Sequence, residues 1–100
     1  MKYELSSTKK FNKWLSRIKD SAIKQKILAR LARVENGNFG DFKSIDANLF
    51  ELRFFFASGL RIYYTLQNKK IILLLVGGDK SSQSKDITTA KQILNELELK

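Results

Sequence analysis

Hydrophobic residues alternate with polar ones along most of residues 50–66, the spacing expected of β-strands that bury one face. The apolar set of the first run is Phe50, Leu52, Phe54 and Phe56, and that of the second is Leu60, Ile62, Tyr64 and Leu66. A third run, residues 71–76, is apolar at every position, which favours a strand covered on both faces. Turn residues separate the runs, so the pattern predicts a β-meander.

The loop between the first two runs decides whether their apolar faces coincide. A three-residue loop, residues 57–59, with Gly59 at positive φ, would pair Phe56 with Leu60 and keep both apolar sets together. It would place Arg53 beside Tyr63, and Arg61 beside Phe55, on the other face. A two-residue loop would put the arginines of one strand behind the phenylalanines of the other. We favour the three-residue loop, which creates a surface suited to phosphates and stacked bases.

Helical spacing of apolar residues appears on either side of the meander. The first stripe follows an N-cap at Ser7 or Thr8, and the second lies between an N-cap at Asp20 and a terminating Asn36-Gly37 pair. A last helix begins at Ser81 or Ser82. The three stripes are Phe11, Trp14, Leu15 and Ile18; Ile23, Ile27, Leu31 and Val34; and Ile87, Ala90, Leu94 and Leu97.

Two short strands, residues 2–5 and 42–45, complete the predicted order β-α-α-β-β-β-β-α. This is an α+β chain: a small, twisted, mostly antiparallel sheet with an N-terminal helical hairpin and a C-terminal helix. The length of 100 residues favours a single domain over residues 1–100.

The charge is strongly positive and unevenly distributed. Nineteen Lys and Arg against ten Asp and Glu give a net charge of +9, of which residues 1–40 carry +7. A balance of this kind predicts a polyanionic partner. Lys10 and Lys13, on the polar face of the first helix, are candidate RNA-binding residues, although a solvated helix face would have the same composition.

The residue types restrict the possible chemistry. The chain has no Cys and no His, so we expect neither a metal site nor a cofactor, and any catalysis must use Lys, Arg, Tyr, Asp or Glu. No Gly-rich phosphate loop is present, and we interpret Gly77-Gly78 as a plain turn rather than an anion nest. The sequence has no signal-peptide pattern and no run of membrane-spanning length, so we expect a cytoplasmic protein without membrane contact.

The remaining candidates for chemistry are polar residues around the meander. RNA cleavage needs no metal, because the ribose 2′-OH is a built-in nucleophile, and Arg and Lys can neutralise charge on the pentavalent transition state. Tyr63 or Lys80 could transfer the proton if neighbouring cations lowered its pKa. Alternatively, Arg53 pairs with Glu51 and has no catalytic role. From the residues alone, a binding module is favoured over a ribonuclease. The candidates are Arg53, Arg61, Lys80 and Tyr63 for catalysis and Lys43 and Gln83 for RNA binding.

Several short segments resemble the RelE/ParE superfamily of type II toxins, in particular its HigB-like branch. They are Phe11-x-x-Trp14-Leu15, Gly37-Asn38-Phe39-Gly40-Asp41-x-Lys43, Glu51-Leu52-Arg53, Gly59-Leu60-Arg61-Ile62-Tyr63-Tyr64, Leu74-Leu75-x-Gly77-Gly78-Asp79-Lys80-Ser81-x-Gln83 and Asp86-Ile87-x-x-Ala90. The resemblance implies a RelE-like fold and inhibition of translation by ribosome-dependent mRNA cleavage. It also implies neutralisation by a cognate acidic antitoxin, whose complex with the toxin binds operator DNA mainly through the antitoxin.

On this resemblance, Arg53, Arg61 and Lys80 match the basic active-site positions of the superfamily. The chain departs from relatives that use a histidine or a C-terminal tyrosine, so their acid and base do not transfer to it. Two alternatives stay open at this point: inhibition of DNA gyrase, as in ParE-like members, and non-catalytic nucleic-acid binding.

Overall fold

A computed structural model describes residues 2–98 of the chain. Over these residues the elements are β1 (Glu4–Ser7), α1 (Lys9–Ser16), α2 (Ser21–Glu35), β2 (Phe42–Asp46), β3 (Leu49–Arg53), β4 (Arg61–Gln67), β5 (Ile71–Gly78), a 3₁₀ turn (Lys80–Ser82) and α3 (Gln83–Glu98). The predicted order of helices and strands is confirmed. The first strand begins two residues later than predicted.

The strands form one sheet in the order β1-β5-β4-β3-β2. β1 runs parallel to β5, whereas the other neighbours are antiparallel, which confirms the mostly antiparallel prediction. Of residues 2–98, no helix combines the length and the apolar character needed to cross a bilayer.

The N-caps of α1 and α2 lie at residues that the sequence predicted, Thr8 and Asp20. The Thr8 hydroxyl accepts from the Phe11 N–H at 3.0 Å, and the Asp20 carboxylate accepts from the N–H groups of Ala22 and Ile23. Gly37 follows α2 at φ 92°, the left-handed conformation expected there. The predicted start of the last helix, Ser81 or Ser82, falls in the 3₁₀ turn that Asp79 caps, and α3 begins one or two residues later at Gln83.

Both faces of the sheet are covered. The side under α1 and α2 carries the larger core, which contains the predicted apolar sets of both meander strands. The other side, under α3, carries a smaller core of Leu49, Tyr63, Leu73, Leu75, Val76 and Ala90. Because β5 contributes to both cores, the prediction of a strand buried on both faces is confirmed.

The β3–β4 loop differs from the prediction. Leu52 pairs with Ile62 and Arg53 with Arg61, and the Phe54 N–H donates to the Leu60 carbonyl at 3.0 Å. The loop therefore spans five residues, 55–59, and the strands are shifted by two positions from the predicted register. A shift of two preserves which residues share a face, so the prediction of a common apolar face was right while the individual neighbours were wrong.

The prediction of a turn at Gly77-Gly78 was also wrong. Both glycines extend β5, with Gly77 opposite Ile62 and Gly78 opposite Arg61. A Cβ at Gly77 would collide with the Trp14 ring of α1, and one at Gly78 would collide with the Asp86 carboxylate of α3. Glycine is needed because a helix approaches the strand closely on each face.

Candidate functional site

Two arginines face each other across β3 and β4 at the end of the sheet near the start of α3. Arg53 and Arg61 are directly opposed in the antiparallel register, and their side chains therefore leave the same face. Like charges directly opposite each other destabilise a strand pair, so an arrangement of this kind needs counter-ions. Each arginine has one: Glu51 for Arg61, and Asp41 for Arg53.

The counter-ion of Arg61 lies in the protein interior. Glu51 is 1% exposed, and its Oε2 lies 4.0 Å from the Nε of Arg61, whose side chain is 14% exposed. The same Oε2 accepts a hydrogen bond from the Gln83 side-chain amide at 2.9 Å. Among residues 2–98, the buried Arg61 Nε has no hydrogen-bond partner. Because a buried ion pair often adds little net stability, we regard Glu51 and Arg61 as candidate functional groups.

Arg53 occupies the rim of the site. Its side chain is 38% exposed, and its Nε lies 3.5 Å from the Asp41 carboxylate. Its backbone carbonyl accepts from Arg30 Nη1 at 2.6 Å, and its N–H donates to the Asp41 carbonyl at 2.9 Å. The alternative pairing of Arg53 with Glu51 is therefore wrong, since Glu51 lies against Arg61.

Tyr63 does not have the properties that its predicted role requires. The residue is fully buried, and among residues 2–98 its hydroxyl has no hydrogen-bond partner. Burial raises the pKa of Tyr63 above its usual value, and the negative charges of Glu51 and Asp86 raise it further. A general base in this position would need the opposite shift. The condition set for its role, a pKa lowered by neighbouring cations, is thus not met at Tyr63.

Three further predicted residues lie close to the arginine pair. Lys80, in the 3₁₀ turn, has an exposed side chain, and its N–H donates to the Ser58 carbonyl of the β3–β4 loop. Gln83 contacts Glu51, as described above. Lys43 is exposed on β2 in register with Glu51, so it lies on the same face of the sheet. The structure thus brings Arg53, Arg61, Lys43, Lys80 and Gln83 to one end of the sheet.

Lys10 and Lys13 are separated from this group. Both are exposed on α1, whose Trp14 packs on Gly77, whereas Arg61 lies opposite Gly78, which faces α3. The two lysines therefore lie on the helix that covers the opposite face of the sheet. They can add to the overall attraction for a polyanion, but they do not join the arginine pair.

Two carboxylates of the site, Glu51 and Asp86, were not predicted from the sequence. Asp86 accepts from the Ser82 hydroxyl at 2.6 Å and lies against Gly78; burial raises its pKa, and the charge of Asp79 adds to this effect. Glu51 could have been found from its place in the alternation, where it falls between Leu49 and Arg53 on the face that α3 covers. The pair of glycines at the end of β5 was the signal for a close approach of Asp86.

Comparison with known proteins supports the family and the fold. A family model described as "Phage derived protein Gp49-like (DUF891)" matches residues 13–96. An uncharacterised protein of Haemophilus influenzae (strain ATCC 51907 / DSM 11121 / KW20 / Rd) is 46% identical over 99 residues, covering 99% of this chain and all of the relative.

Two solved structures of E. coli proteins have the same fold at 18% identity. A mutant of the toxin RelE in the free state aligns with a TM-score of 0.68, over 92% of this chain and 97% of RelE. The intact RelBE toxin–antitoxin complex aligns with a TM-score of 0.58, over 77% of this chain and 95% of the matched chain. The predicted RelE-like α+β fold is confirmed.

Proposed function

The chain belongs to the Gp49-like family of phage-derived proteins, and on that premise we propose that it is the toxin of a type II toxin–antitoxin system. It inhibits translation by cutting mRNA on the ribosome. The observation that carries this proposal is the opposed pair Arg53 and Arg61, which concentrates two guanidinium groups on one face of a RelE-like sheet. We also propose that the chain belongs to the HigB-like branch of the RelE/ParE superfamily, as the sequence resemblance implies.

The two arginines serve phosphodiester cleavage by binding charge. In attack by a ribose 2′-OH, negative charge accumulates on the phosphoryl oxygens, and guanidinium groups donate to such oxygens in fixed geometry. Arg53, at the rim, reaches the phosphate from the solvent side, and Arg61 approaches from beneath. A preorganised donor of this kind contributes ~3–4 kcal/mol to transition-state stabilisation, or a factor of ~10²–10³ in rate.

Other side chains complete the site. Glu51 holds Arg61 in orientation, and Gln83 fixes the Glu51 oxygen that faces it. Lys80, exposed beside the loop, is our candidate for proton transfer, since the environment of Tyr63 opposes that role. Lys43 extends the positive surface along β2 toward the RNA backbone. The reaction uses no metal and no cofactor, because the nucleophile comes from the substrate.

The partners follow from the same proposal. One structural neighbour is a toxin–antitoxin complex, which supports a cognate antitoxin for this chain. With a net charge of +9 the chain attracts an acidic antitoxin electrostatically. We propose that their complex binds operator DNA mainly through the antitoxin, and that the free toxin acts on ribosomes in the cytoplasm.

Induced expression in bacterial cells tests the proposal. The wild-type chain should arrest growth and cut a reporter mRNA within translated codons, with cleavage ends mapped by primer extension. Arg53→Ala combined with Arg61→Ala should relieve both effects at equal protein level. As a matched control, Lys9→Ala combined with Lys19→Ala removes the same charge from exposed positions and should leave both effects in place.

Growth arrest with intact mRNA would overturn the proposal. A supercoiling assay with purified protein and DNA gyrase would then identify a ParE-like inhibitor. Full activity of the double arginine variant would refute the role of the pair even if mRNA were cut.

A further inference from the structure

A second surface of unusual composition lies at Phe55, in the β3–β4 loop. This side chain is 87% exposed, an unusual state for a large aromatic residue. It lines an open groove of about 390 Å³ between α2 and the β3–β4 loop. The other lining residues are Lys26, Ala29, Arg30, Arg33, Phe54 and Phe56.

The groove is both aromatic and cationic. Lys26 Nζ lies 5.1 Å from the centre of the Phe56 ring, and the Arg30 guanidinium lies 4.7 Å from that of Phe54. Arg33, on α2, is exposed. No acidic side chain from residues 2–98 lines this surface. A groove of this composition has a positive potential over exposed ring surface.

The groove lies on the side of the sheet that α2 covers, whereas the arginine pair lies on the side that α3 covers. The two places are linked through the backbone near Arg53. Phe55 follows Arg53 by two residues, and Arg30 joins the two places because it donates to the Arg53 carbonyl while packing on Phe54. The loop that carries Phe55 has three successive residues at positive φ: Ala57, Ser58 and Gly59. Two of these are non-glycine residues, which rarely adopt that conformation, so the loop has an unusual and specific backbone shape.

We propose that Phe55 is a stacking platform for a nucleobase of single-stranded RNA, whose adjoining phosphates contact Lys26 and Arg33. This rests on the proposed function for its substrate class and adds a second contact zone to it. Bases stack on exposed aromatic rings without sequence preference, and positive side chains track the backbone beside them. An RNA strand held at Phe55 would thus gain a contact zone separate from the arginine pair.

An acidic protein segment is the competing occupant, because the cations of the groove would attract it as well. A separate apolar groove of about 170 Å³ is lined by Phe39, Phe42, Phe50, Tyr64 and Leu66, with no cation among its lining residues from 2–98. Apolar anchors of a protein partner suit that surface. An isolated exposed ring flanked by cations instead suits a base and its phosphates, which is why we assign RNA to the Phe55 groove.

Binding of short RNAs to the purified, full-length chain tests this assignment. The probes are a fluorescein-labelled 12-nucleotide oligoadenylate and an abasic RNA of the same length, which keeps the phosphates but has no bases to stack. Phe55→Leu should weaken oligoadenylate binding by about 5- to 150-fold, the range for loss of one stacked base. Binding of the abasic RNA should stay within twofold. Phe55→Tyr, which keeps the ring, should bind both probes like wild type.

Two further variants distinguish the loss of base stacking from the loss of phosphate contacts and from a nonspecific effect of replacing an exposed phenylalanine. Phe42→Leu makes the same substitution at another exposed phenylalanine and should leave RNA binding unchanged. Lys26→Ala combined with Arg33→Ala should weaken both probes and reduce the salt dependence of log K by about 1.4, the value for two lost phosphate contacts.

The assignment is overturned if wild type binds neither probe, if Phe55→Leu binds oligoadenylate within twofold of wild type, or if it weakens both probes equally. It is also overturned if Phe55→Leu spares RNA but loses binding of a 20-residue poly-glutamate peptide, which would identify an acidic-protein site. Ribosomal mRNA cleavage by the same proteins is scored separately. Phe55-dependent stacking without cleavage would refute the proposed function alone, and cleavage without it would refute this inference alone.

Discussion

The two faces of the β3–β4 strand pair are built for different purposes. On the side covered by α1 and α2, alternate residues form an apolar core with stacked rings, such as Phe50 on Tyr64 at 5.3 Å between centres. On the side covered by α3, the same strands bury Glu51, oppose two arginines and leave the Tyr63 hydroxyl without a partner within residues 2–98. One side is an apolar core, and the other holds buried and opposed charges.

This difference indicates where function lies more clearly than net charge does. The basic residues of α1 and α2 provide most of the positive charge, yet Lys10 and Lys13 are solvated residues over the apolar side. Burying a carboxylate and a guanidinium is expensive unless each is paired. Glu51 and Arg61 are paired with each other beneath α3, and we infer that the pair is kept for a use other than stability. In our account, that use is phosphate binding.

Removing Glu51 should have the largest effect on stability. Glu51→Ala leaves Arg61 charged, largely buried and unpaired, and we expect a loss of about 3 kcal/mol in the free energy of unfolding, measured by denaturant titration. Replacing both partners, Glu51→Leu with Arg61→Met, should recover most of that loss. A change below about 1 kcal/mol in the single variant would contradict the description of a buried charged face.

Arg30→Ala should have the next largest effect on the free energy of unfolding. Arg30 donates four hydrogen bonds to the backbone carbonyls of Phe39, Arg53 and Asp41, at 2.6–3.2 Å. Leaving these acceptors unpaired should cost about 2–3 kcal/mol by the same titration. Arg33→Ala on the exposed side of the same helix is the control, with an expected change within about 0.5 kcal/mol. Equal effects would show that Arg30 acts only as a surface charge.

Substituting the two glycines of β5 by alanine compares the packing on the two faces, because Gly77 faces α1 and Gly78 faces α3. Gly77→Ala drives a Cβ into the Trp14 ring, which is held in the larger core, and should cost about 2–3 kcal/mol. Gly78→Ala meets the end of the Asp86 side chain and should cost about 1 kcal/mol. Thermal melts measure both. The Gly78→Ala loss should become smaller in an Asp86→Ala background, where the Ser82 hydroxyl is the remaining close neighbour, and an unchanged loss there would show that Asp86 does not set the close approach.

Tyr63→Phe should have the smallest effect. Removing a buried hydroxyl without a partner should leave stability unchanged or raise it by about 1 kcal/mol. Burial raises the folded-state pKa of Tyr63 above the unfolded-state value near 10. The folded state therefore holds the phenol proton more tightly than the unfolded state does. The stability that comes from this difference is fully present below about pH 10 and is lost as the pH rises from there toward the folded-state pKa. The variant should therefore lose less stability than wild type between pH 8 and pH 11, as followed by denaturant midpoints.

The same variant tests the catalytic assignment. We predict that Tyr63→Phe keeps the ability of the wild-type chain to cut mRNA. Loss of cleavage in a stable Tyr63→Phe protein would return the tyrosine to the catalytic group.

Local signals in the sequence predicted most of the fold. Apolar periodicity located the helices and strands, and Asp20 and Gly37 marked the two ends of α2 because capping depends on residues close in sequence. The β3–β4 register was missed, since Ala57 and Ser58 adopt left-handed conformations that their residue types disfavour.

The candidate site was only partly predictable. The alternation correctly predicted that Arg53 and Arg61 share a face, because a register shift of two residues leaves every side chain on the same face of the sheet. The burial of Glu51 depends on α3, which lies about thirty residues later in the chain and contributes Gln83. Gly77 and Gly78 were misinterpreted for the same reason: the side chains that exclude a Cβ come from distant helices.

Single-turnover cleavage of mRNA on purified ribosomes tests the central claim most directly. The rates of the wild-type, Arg53→Ala and Arg61→Ala proteins are compared with that of the Lys9→Ala, Lys19→Ala control, after each fold is verified by circular dichroism. We predict a rate lower by about 10²–10³ for each arginine variant and an unchanged rate for the control. Rates within twofold of wild type for folded arginine variants would contradict the claim that the opposed pair binds the reacting phosphate.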